Sequence, residues 1–487
     1  MKKVVFRVDA SVQIGGGHAV RCAAVGDALL KRGVEVHFIC RLLPGNFCDW
    51  LEKAGFVVVR LPKEVKSLAD DIHETQLVLA ALEPVDWLVI DHYGIDVRWE
   101  AAFRSRTQNI MVIDDVVDRM HDCDLLLNQN YIRDGVGRYE DLVPSGCHIM
   151  VGPRYSLLRD GFRKGRDSLR ARDGNVRNLL ICFGATDPRG YTSAAMQAVS
   201  QVDNVYERID VVTSSQNPRA AELREECALL TNTHFHSPAE DLIGLMKAAD
   251  LALGAGGTMN WERACLGLPS IVIGIADNQR QGLESLIHDG IVLGQASMPD
   301  PDFETMAAWL VVAGNNPHLL QGLSSRSAKL VDGHGPERVA DALVPPIFTF
   351  RRVTLEDANN LFEWRTSAEV TDVSLSCGRI EYAAHKEWLK VKLTDRNCIF
   401  LLIEVKKKPV GVVRFDCIGD EAVISIYRVP GAEPVRGLVY QATEWLRINR
   451  QDVRRVKAKV IPTNDASLAA FRSAGYTESA HHLIIEL

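Results

Sequence analysis

The stretch Asp9-Ala10-Ser11-Val12-Gln13-Ile14-Gly15-Gly16-Gly17-His18, followed by Arg21 and Cys22, decides how the rest of the chain is read. It leaves a short apolar run, Val4-Val5-Phe6, with the β-branched and aromatic character of a first strand. Consecutive glycines let the backbone turn tightly and approach a ligand with no Cβ in the way. A helix from about Ala19 to Lys31 then aims its unpaired N–H groups and positive dipole end at whatever occupies the turn. Gly15, Gly16 and Gly17 are therefore candidate phosphate ligands, with His18 and Arg21 beside them. An imidazole changes charge near neutral pH, so proton transfer is chemically open to His18. The same residues also suit a plain strand-to-helix turn with a polar histidine, and the turn alone does not separate the two.

Outward from this turn, residues 1 to about 150 alternate strand and helix patterns, which predicts a parallel sheet with crossover helices. Expected strands are Lys3–Val8, Glu35–Cys40, Val57–Leu61, Trp87–Ile90 and Ile110–Ile113. Ligands gather at the carboxyl ends of such strands, so the loops after Val8, Ile90 and Ile113 are the ones to watch. The second reads Asp91-His92-Tyr93-Gly94. A tyrosine can stack on a sugar or donate from its hydroxyl, which favours Tyr93, while Asp91 and His92 equally suit a turn. Asp114 and Asp115, opening the third of these loops after Ile113, read best as caps.

A second doubly wound unit begins near Asn178. Its first strand, Leu179–Phe183, ends in Gly184-Ala185-Thr186-Asp187-Pro188, a turn that suits either diphosphate contact or a simple helix start. Asp250 to Ala264 repeats the opening pattern of strand, glycine-rich turn and helix, with Gly256, Gly257 and Thr258 in the turn and Asn260 and Glu262 behind it. Two such turns can close on one diphosphate-linked substrate. Capping by Asn260 and a surface ion pair for Glu262 are the alternatives. After Leu343, Val344-Pro345-Pro346 breaks the helical pattern and a third unit opens at Phe348. The expected domains are thus 1–150, 151–345 and 346–487.

The chain's 487 residues and formal charge of −7 suit a multidomain globular protein without a nucleic-acid footprint. Its 11 cysteines are dispersed, with no C-x-x-C and no metal-ligand spacing, which suits reduced thiols and predicts no metal. The start, Met1-Lys2-Lys3-Val4, runs into a strand rather than a leader, and no apolar run approaches membrane-spanning length. The expectation is a soluble cytoplasmic protein; its oligomeric state is left open.

D-A-S-x-x-I-G-x-G-H-x-x-R-C, from Asp9 to Cys22, resembles the N-terminal signature of the UDP-sugar hydrolase of pseudaminic acid biosynthesis. That family is similar in fold to the glycosyltransferase that adds N-acetylglucosamine in peptidoglycan synthesis. The resemblance extends through Asp91-His92-Tyr93, through Gly152-Pro153-Arg154-Tyr155, and through Asp277-Asn278-Gln279. It implies two Rossmann-like domains of GT-B type, with Asp9, Arg21, Arg154 and Gly184 near substrate. Tyr93 and Asn260 would meet the sugar, Glu262 the ribose, and Asn278 and Gln279 further substrate groups. The substrate implied is a UDP-linked amino sugar, UDP-2,4-diacetamido-2,4,6-trideoxy-beta-L-altropyranose.

From Phe348 onward, L-x-x-W-R at Leu361 to Arg365 and Asn464 to Tyr476 resemble the GNAT acetyltransferases, an α/β fold, and particularly the N-acetyltransferase of the same pathway. That likeness implies acetyl-CoA as acetyl donor, with Val429, Arg436, Gly437, Leu438, Val439, Asn464 and Phe471 around it. Two positions depart from the pattern. Val439 stands where a small residue is expected, and Phe471 where a tyrosine often protonates the leaving thiolate, leaving water, Tyr476 or another residue for that task. The combined expectation is a bifunctional enzyme that acetylates a 4-amino sugar nucleotide and then hydrolyses it. A GT-B glycosyltransferase with a non-catalytic GNAT-like module is the alternative.

Overall fold

The first sheet is built from β1 (Lys3–Val8), β2 (Glu35–Arg41), β3 (Val57–Leu61), β4 (Val85–Asp91), β5 (Thr107–Ile113), β6 (Leu125–Asn128) and β7 (His148–Val151). Its order is β3-β2-β1-β4-β5-β6-β7, and every pairing is parallel. The computed structural model describes residues 2–65, 67–133, 135–184, 187–202, 206–215, 217–239, 241–345, 348–373, 380–435, 437–450, 452–479 and 482–486. The strand order reverses between β1 and β4, so the loops leaving these two strands flank one crevice. Val4, Val5, Phe6 and Val8 of β1 are buried because helices cover both faces of the sheet. Residues 335–343, which the expected domain boundary puts in the second unit, return to this sheet. Val339, Ala340 and Leu343 pack with Phe6, Val25 and Leu29 in one core.

The second sheet comprises β8 (Asn178–Cys182), β9 (Arg208–Val212), β10 (Thr233–His236), β11 (Leu251–Ala255), β12 (Ser270–Ile273) and β13 (Leu293–Gln295). Its order, β10-β9-β8-β11-β12-β13, repeats the first with the switch between β8 and β11. All of its pairings are parallel.

The third sheet contains β14 (Phe348–Arg352), β15 (Cys398–Val405), β16 (Lys408–Ile418), β17 (Glu421–Arg428), β18 (Arg455–Ala458), β19 (Thr477–Ser479) and β20 (His482–Glu486). It belongs to a separate compact unit, Pro345–Leu487, and Met1–Val344 forms the other unit. Neighbouring strands run antiparallel except β17 and β18, which pair in parallel from Glu421↔Arg455 to Ile424↔Ala458. The expected strand Val456–Ile461 therefore stops at Ala458. Beyond Ile424, β17 continues to Arg428 without β18, and a gap opens between the strands. Leu361 and Leu389 cover one face of this sheet, and Val439, Ala442, Leu446 and Phe471 cover the other. Pro346 of the chain-breaking run lies outside the described residues.

Candidate functional sites

The loops after β1 and β4 bring Gly17, His18, Arg21 and Tyr93 to one wall of a cleft of about 410 Å³. Gly257, Thr258, Asn260 and Gln279 from the second sheet form the other wall. On the first wall, His18 Nδ1 lies 2.6 Å from Asp91 Oδ1 at the end of β4. Arg21 grips the same carboxylate with both arms, Nε to Oδ2 and Nη2 to Oδ1, each at 2.6 Å. Its Nη1 reaches Asp115 Oδ2 at 3.0 Å. Arg21 Nη2 also stands 3.1 Å from His18 Nδ1. Both nitrogens cannot donate to each other, so the shorter contact decides: Nδ1–H donates to Asp91, and Nε2 keeps its lone pair. Burial works against an ionised Asp91, yet Arg21 and His18 hold its carboxyl well below the usual range.

Tyr93 meets the His18 ring edge-on at a centroid distance of 4.7 Å. Burial and the charge of Asp115 hold its hydroxyl protonated, above the usual tyrosine value. Of the three glycines in the opening turn, Gly17 lines the cleft. Gly15 closes the loop by donating to Ser11 O at 2.7 Å, and Gly16 caps the helix. Asp9 does not reach the cleft. Its Oδ1 accepts from buried Arg7 and from the Arg41 backbone N–H, each at 2.7 Å, because a buried guanidinium needs a paired anion.

On the second wall, Gly257 has φ +108°, a conformation that favours glycine, and the turn it makes presents Thr258 to the cleft. Gly256 sits behind, against the Gln279 side chain. Asn260 Oδ1 accepts from Arg263, so its amide N–H₂ is the group left for a ligand. Glu262, on the same helix, is half-buried and is not among the residues that line this cleft. Burial pushes its carboxyl up to about 7 against the opposing charges of Arg159 and Arg263. Gly184 opens on a second hollow of about 330 Å³, which Arg159, Thr213 and Met259 also line. Asp187 caps the helix Tyr191–Ser200 through the N–H groups of Tyr191 and Thr192. Ala185, Thr186 and the Asn278 side chain lie outside the described parts. Arg154 also stands apart from the cleft, since its guanidinium covers the Tyr155 ring at 5.2 Å.

The gap between β17 and β18 opens on a cavity of about 630 Å³ in the third sheet's unit. Val460 and Ile461 line it because β18 ends early, together with Asn464 and Phe471. Asn464 Oδ1 also caps the helix Asp465–Ser473 at Ser467 N, 3.0 Å. Gly437 adopts φ +79° at the start of the helix Leu438–Asn449, and a Cβ there would meet nothing within 4 Å. The Val439 side chain turns into the core and so does not crowd the helix N-terminus, and Leu438 packs against the same core. This open turn and free helix start fit a pyrophosphate, and with the strand gap they fit acetyl-CoA. Val429 is a correction: its N–H donates to Val410 and its C=O accepts from Ala432, so it closes the strand end. Arg436 lies outside the described residues. Tyr476 is also corrected, since its hydroxyl is buried on Thr443 Oγ1 at 2.9 Å and does not line the cavity. Tyr427 does line it, and burial holds its hydroxyl protonated against the charges of Arg365 and Arg414.

Among known proteins, this chain is 31% identical over 261 residues to the UDP-2,4-diacetamido-2,4,6-trideoxy-beta-L-altropyranose hydrolase of Campylobacter jejuni, covering 53% of this chain and 86% of that protein. The chain belongs to this hydrolase family. It is also 23% identical over 341 residues to the spore coat polysaccharide biosynthesis protein SpsG of Bacillus subtilis, covering 69% of this chain and 96% of that one. Residues 348–477 match the acetyltransferase (GNAT) domain, and 193–281 match a family described as a protein of unknown function (DUF354). The crystal structure of MurG from Acinetobacter baumannii shares the fold of the first two sheets, with a TM-score of 0.50 at 14% identity, covering 70% of this chain and 99% of that one. The architecture is thus GT-B followed by a GNAT domain.

In this member of the hydrolase family, reading the sequence alone misses Asp91 as the partner of His18 and Asp115 as the partner of Arg21. A strand ending in aspartate was the available signal, but a cap and a histidine partner look alike until β1 and β4 are placed side by side. Arg138, in a single 3-10 turn, and Arg159, just before the helix Asp160–Arg166, line the two hollows, and no sequence pattern marks them. Among the described residues, no cluster of His, Cys, Asp and Glu is placed to hold a metal, and no helix is long and apolar enough to cross a membrane.

Proposed function

We propose that the cleft of the first unit hydrolyses UDP-2,4-diacetamido-2,4,6-trideoxy-beta-L-altropyranose by attack of water at the anomeric carbon, with UDP as leaving group. The observation that carries this reading is the His18–Asp91 pair at the strand switch, facing a glycine-rich helix start across the cleft. His18 Nε2 takes a proton from the attacking water while Asp91 holds the tautomer and balances the imidazolium. Tyr93 and the Asn260 amide orient the sugar. The N–H groups around Gly257 and Thr258 face the diphosphate, where charge grows as the glycosidic bond breaks. Glu262 and the hollow beside Gly184 take the uridine. Family membership supports the choice of substrate.

The GNAT domain is proposed to acetylate the 4-amino group of the preceding UDP-sugar. Acetyl-CoA, when bound, supplies the acetyl group as a thioester. The turn at Gly437 and the N–H groups of Leu438 and Val439 hold its pyrophosphate, and the gap between β17 and β18 admits its extended arm. Joining the two steps in one chain raises the local concentration of the intermediate. The test is UDP release from the diacetamido sugar nucleotide without acceptor, wild type against His18→Ala. Release that is lost in the variant supports hydrolysis; release only when a sugar acceptor is added overturns it in favour of glycosyl transfer.

A further inference from the structure

We propose that His385 is the base that takes the proton from the acceptor amine in the GNAT cavity, an assignment that rests on reading this domain as an active acetyltransferase. The acceptor nitrogen must shed a proton as it becomes an amide, and the cavity has to provide for that. Among the described residues that line it there is no carboxylate. Arg365, Arg414 and Lys459 carry cationic side chains, and the half-buried Tyr427 hydroxyl is held protonated. Among the described lining residues, His385 is the one side chain with a basic nitrogen lone pair to offer.

Its placement fits the task. His385 sits on the helix Tyr382–Thr394, 6% exposed, with the rings of Phe362 and Trp388 each 5.6 Å away. Its Nε2 is buried and has no hydrogen-bond partner among the described residues. Buried polar atoms are normally paired, so an orphaned nitrogen at a cavity wall is satisfied when a ligand N–H reaches it. Burial lowers the basicity of the imidazole against a hydrogen bond to the Ala358 backbone, and the charge of Arg365 lowers it further. The other charged or titratable groups around the cavity are Arg414, paired with Asp416 on β16, Tyr427 on β17, and Lys459 after β18. These influences favour the neutral ring, the form that can accept a proton.

In the step itself, the neutral amine nitrogen attacks the thioester carbonyl carbon. A C–N bond forms and the C–S bond breaks, with its electron pair leaving on sulfur. His385 Nε2 takes the proton from nitrogen, the thiolate takes one from solvent, and His385 returns its own to solvent before the next turnover.

The test uses the full-length protein with acetyl-CoA and the UDP-linked 4-amino sugar, following thiol release from pH 6 to 9 in the wild type, His385→Gln and His385→Ala. The expected result is a loss of about 100-fold in kcat for His385→Gln, with acetyl-CoA binding and Tm retained. One ionisation should vanish from the acid limb, and added imidazole should restore part of the rate to His385→Ala. A second readout needs no acetyl-CoA: the ¹⁵N imidazole resonance missing from His385→Gln should shift when the amino sugar nucleotide alone is added. Wild-type rate and pH profile in His385→Gln overturn the assignment. A fall in Tm with an unchanged pH profile and no imidazole rescue marks a packing role and overturns it too. Absence of thiol release from the wild type overturns the acetyltransferase reading, and the assignment with it.

Discussion

His18 Nδ1 and Asp91 Oδ1 are 2.6 Å apart, joining the first helix of the chain to the end of β4. The pair exists because β1 and β4 are neighbours in the sheet, although their loops are separated by more than two crossover connections in sequence. Asp91 is at once the orienting group of an imidazole and the anion for buried Arg21, so its removal has two separable consequences.

The first prediction follows from this double duty. His18→Ala should lower UDP release by about 10²–10⁴-fold, the span typical of a lost general base, with little effect on folding. Asp91→Asn should lower release at least about tenfold, because the amide no longer dictates the tautomer, and should destabilise the protein by about 3 kcal/mol, because Arg21 is left buried beside a neutral group. Initial rates and denaturant melts separate the two effects. An Asp91→Asn enzyme with wild-type turnover would show that His18 needs no orienting partner.

A second prediction concerns pH. Burial raises the Glu262 carboxyl to about 7 in the folded protein. The folded chain therefore binds a proton there that the unfolded chain releases near its ordinary value, and this contribution to stability declines as pH rises toward 7 and then levels off. Ribose hydroxyls donate to the ionised form, so UDP binding is linked to loss of that proton. Affinity should weaken by about tenfold from pH 8 to pH 6, and Glu262→Gln should bind weakly with a flat profile. Calorimetric titration of UDP at several pH values measures this; a sloping profile that survives in Glu262→Gln would remove the carboxylate from the nucleotide site.

Much of this site is legible in the sequence wherever backbone chemistry dictates it. Gly15 and Gly257 mark turns whose positive φ favours glycine, and β1 and β3 appear at their expected bounds because β-branched runs mark them. Strands β6 and β7 have four residues each, too few for a periodic pattern. The ion pairs are less legible still. Asp9 looks like a ligand until buried Arg7 claims it, and Val429 looks available until Val410 and Ala432 take its backbone groups. Partners remote in sequence decide such cases, and a local motif is silent about them.

The third prediction tests whether the two sites are separable. Gly437 has φ +79° and opens the helix Leu438–Asn449, so Gly437→Val both strains the backbone and places a branched side chain beside the proposed pyrophosphate site. Acetyl-CoA affinity should fall by tenfold or more, on the order of 1.4 kcal/mol, while UDP release from the diacetamido sugar stays unchanged. Parallel binding and hydrolysis assays check both arms, and unaltered acetyl-CoA binding would place the cofactor elsewhere.

The last prediction concerns how the two walls of the cleft are held together. Tyr131 donates to Asp289 Oδ2 at 2.7 Å, Arg133 pairs with the same carboxylate, and Arg138 donates to Gln281 at 2.8 Å. These contacts join a loop after β6 to the helix Asp277–His288 beside the second glycine-rich turn. The two arginine contacts are exposed, and exposed ion pairs add little to folding because water and salt screen them. Their effect should instead fall on closure, since substrate must find both walls in register before His18 and the Gly257 turn act on the same molecule. Asp289→Ala should therefore leave Tm nearly unchanged and raise KM for the UDP-sugar several-fold, with a smaller effect on kcat once the cleft is filled. Steady-state kinetics beside a thermal melt decides the matter: a large fall in Tm with unchanged KM would make Asp289 a structural brace, not a clasp on the cleft.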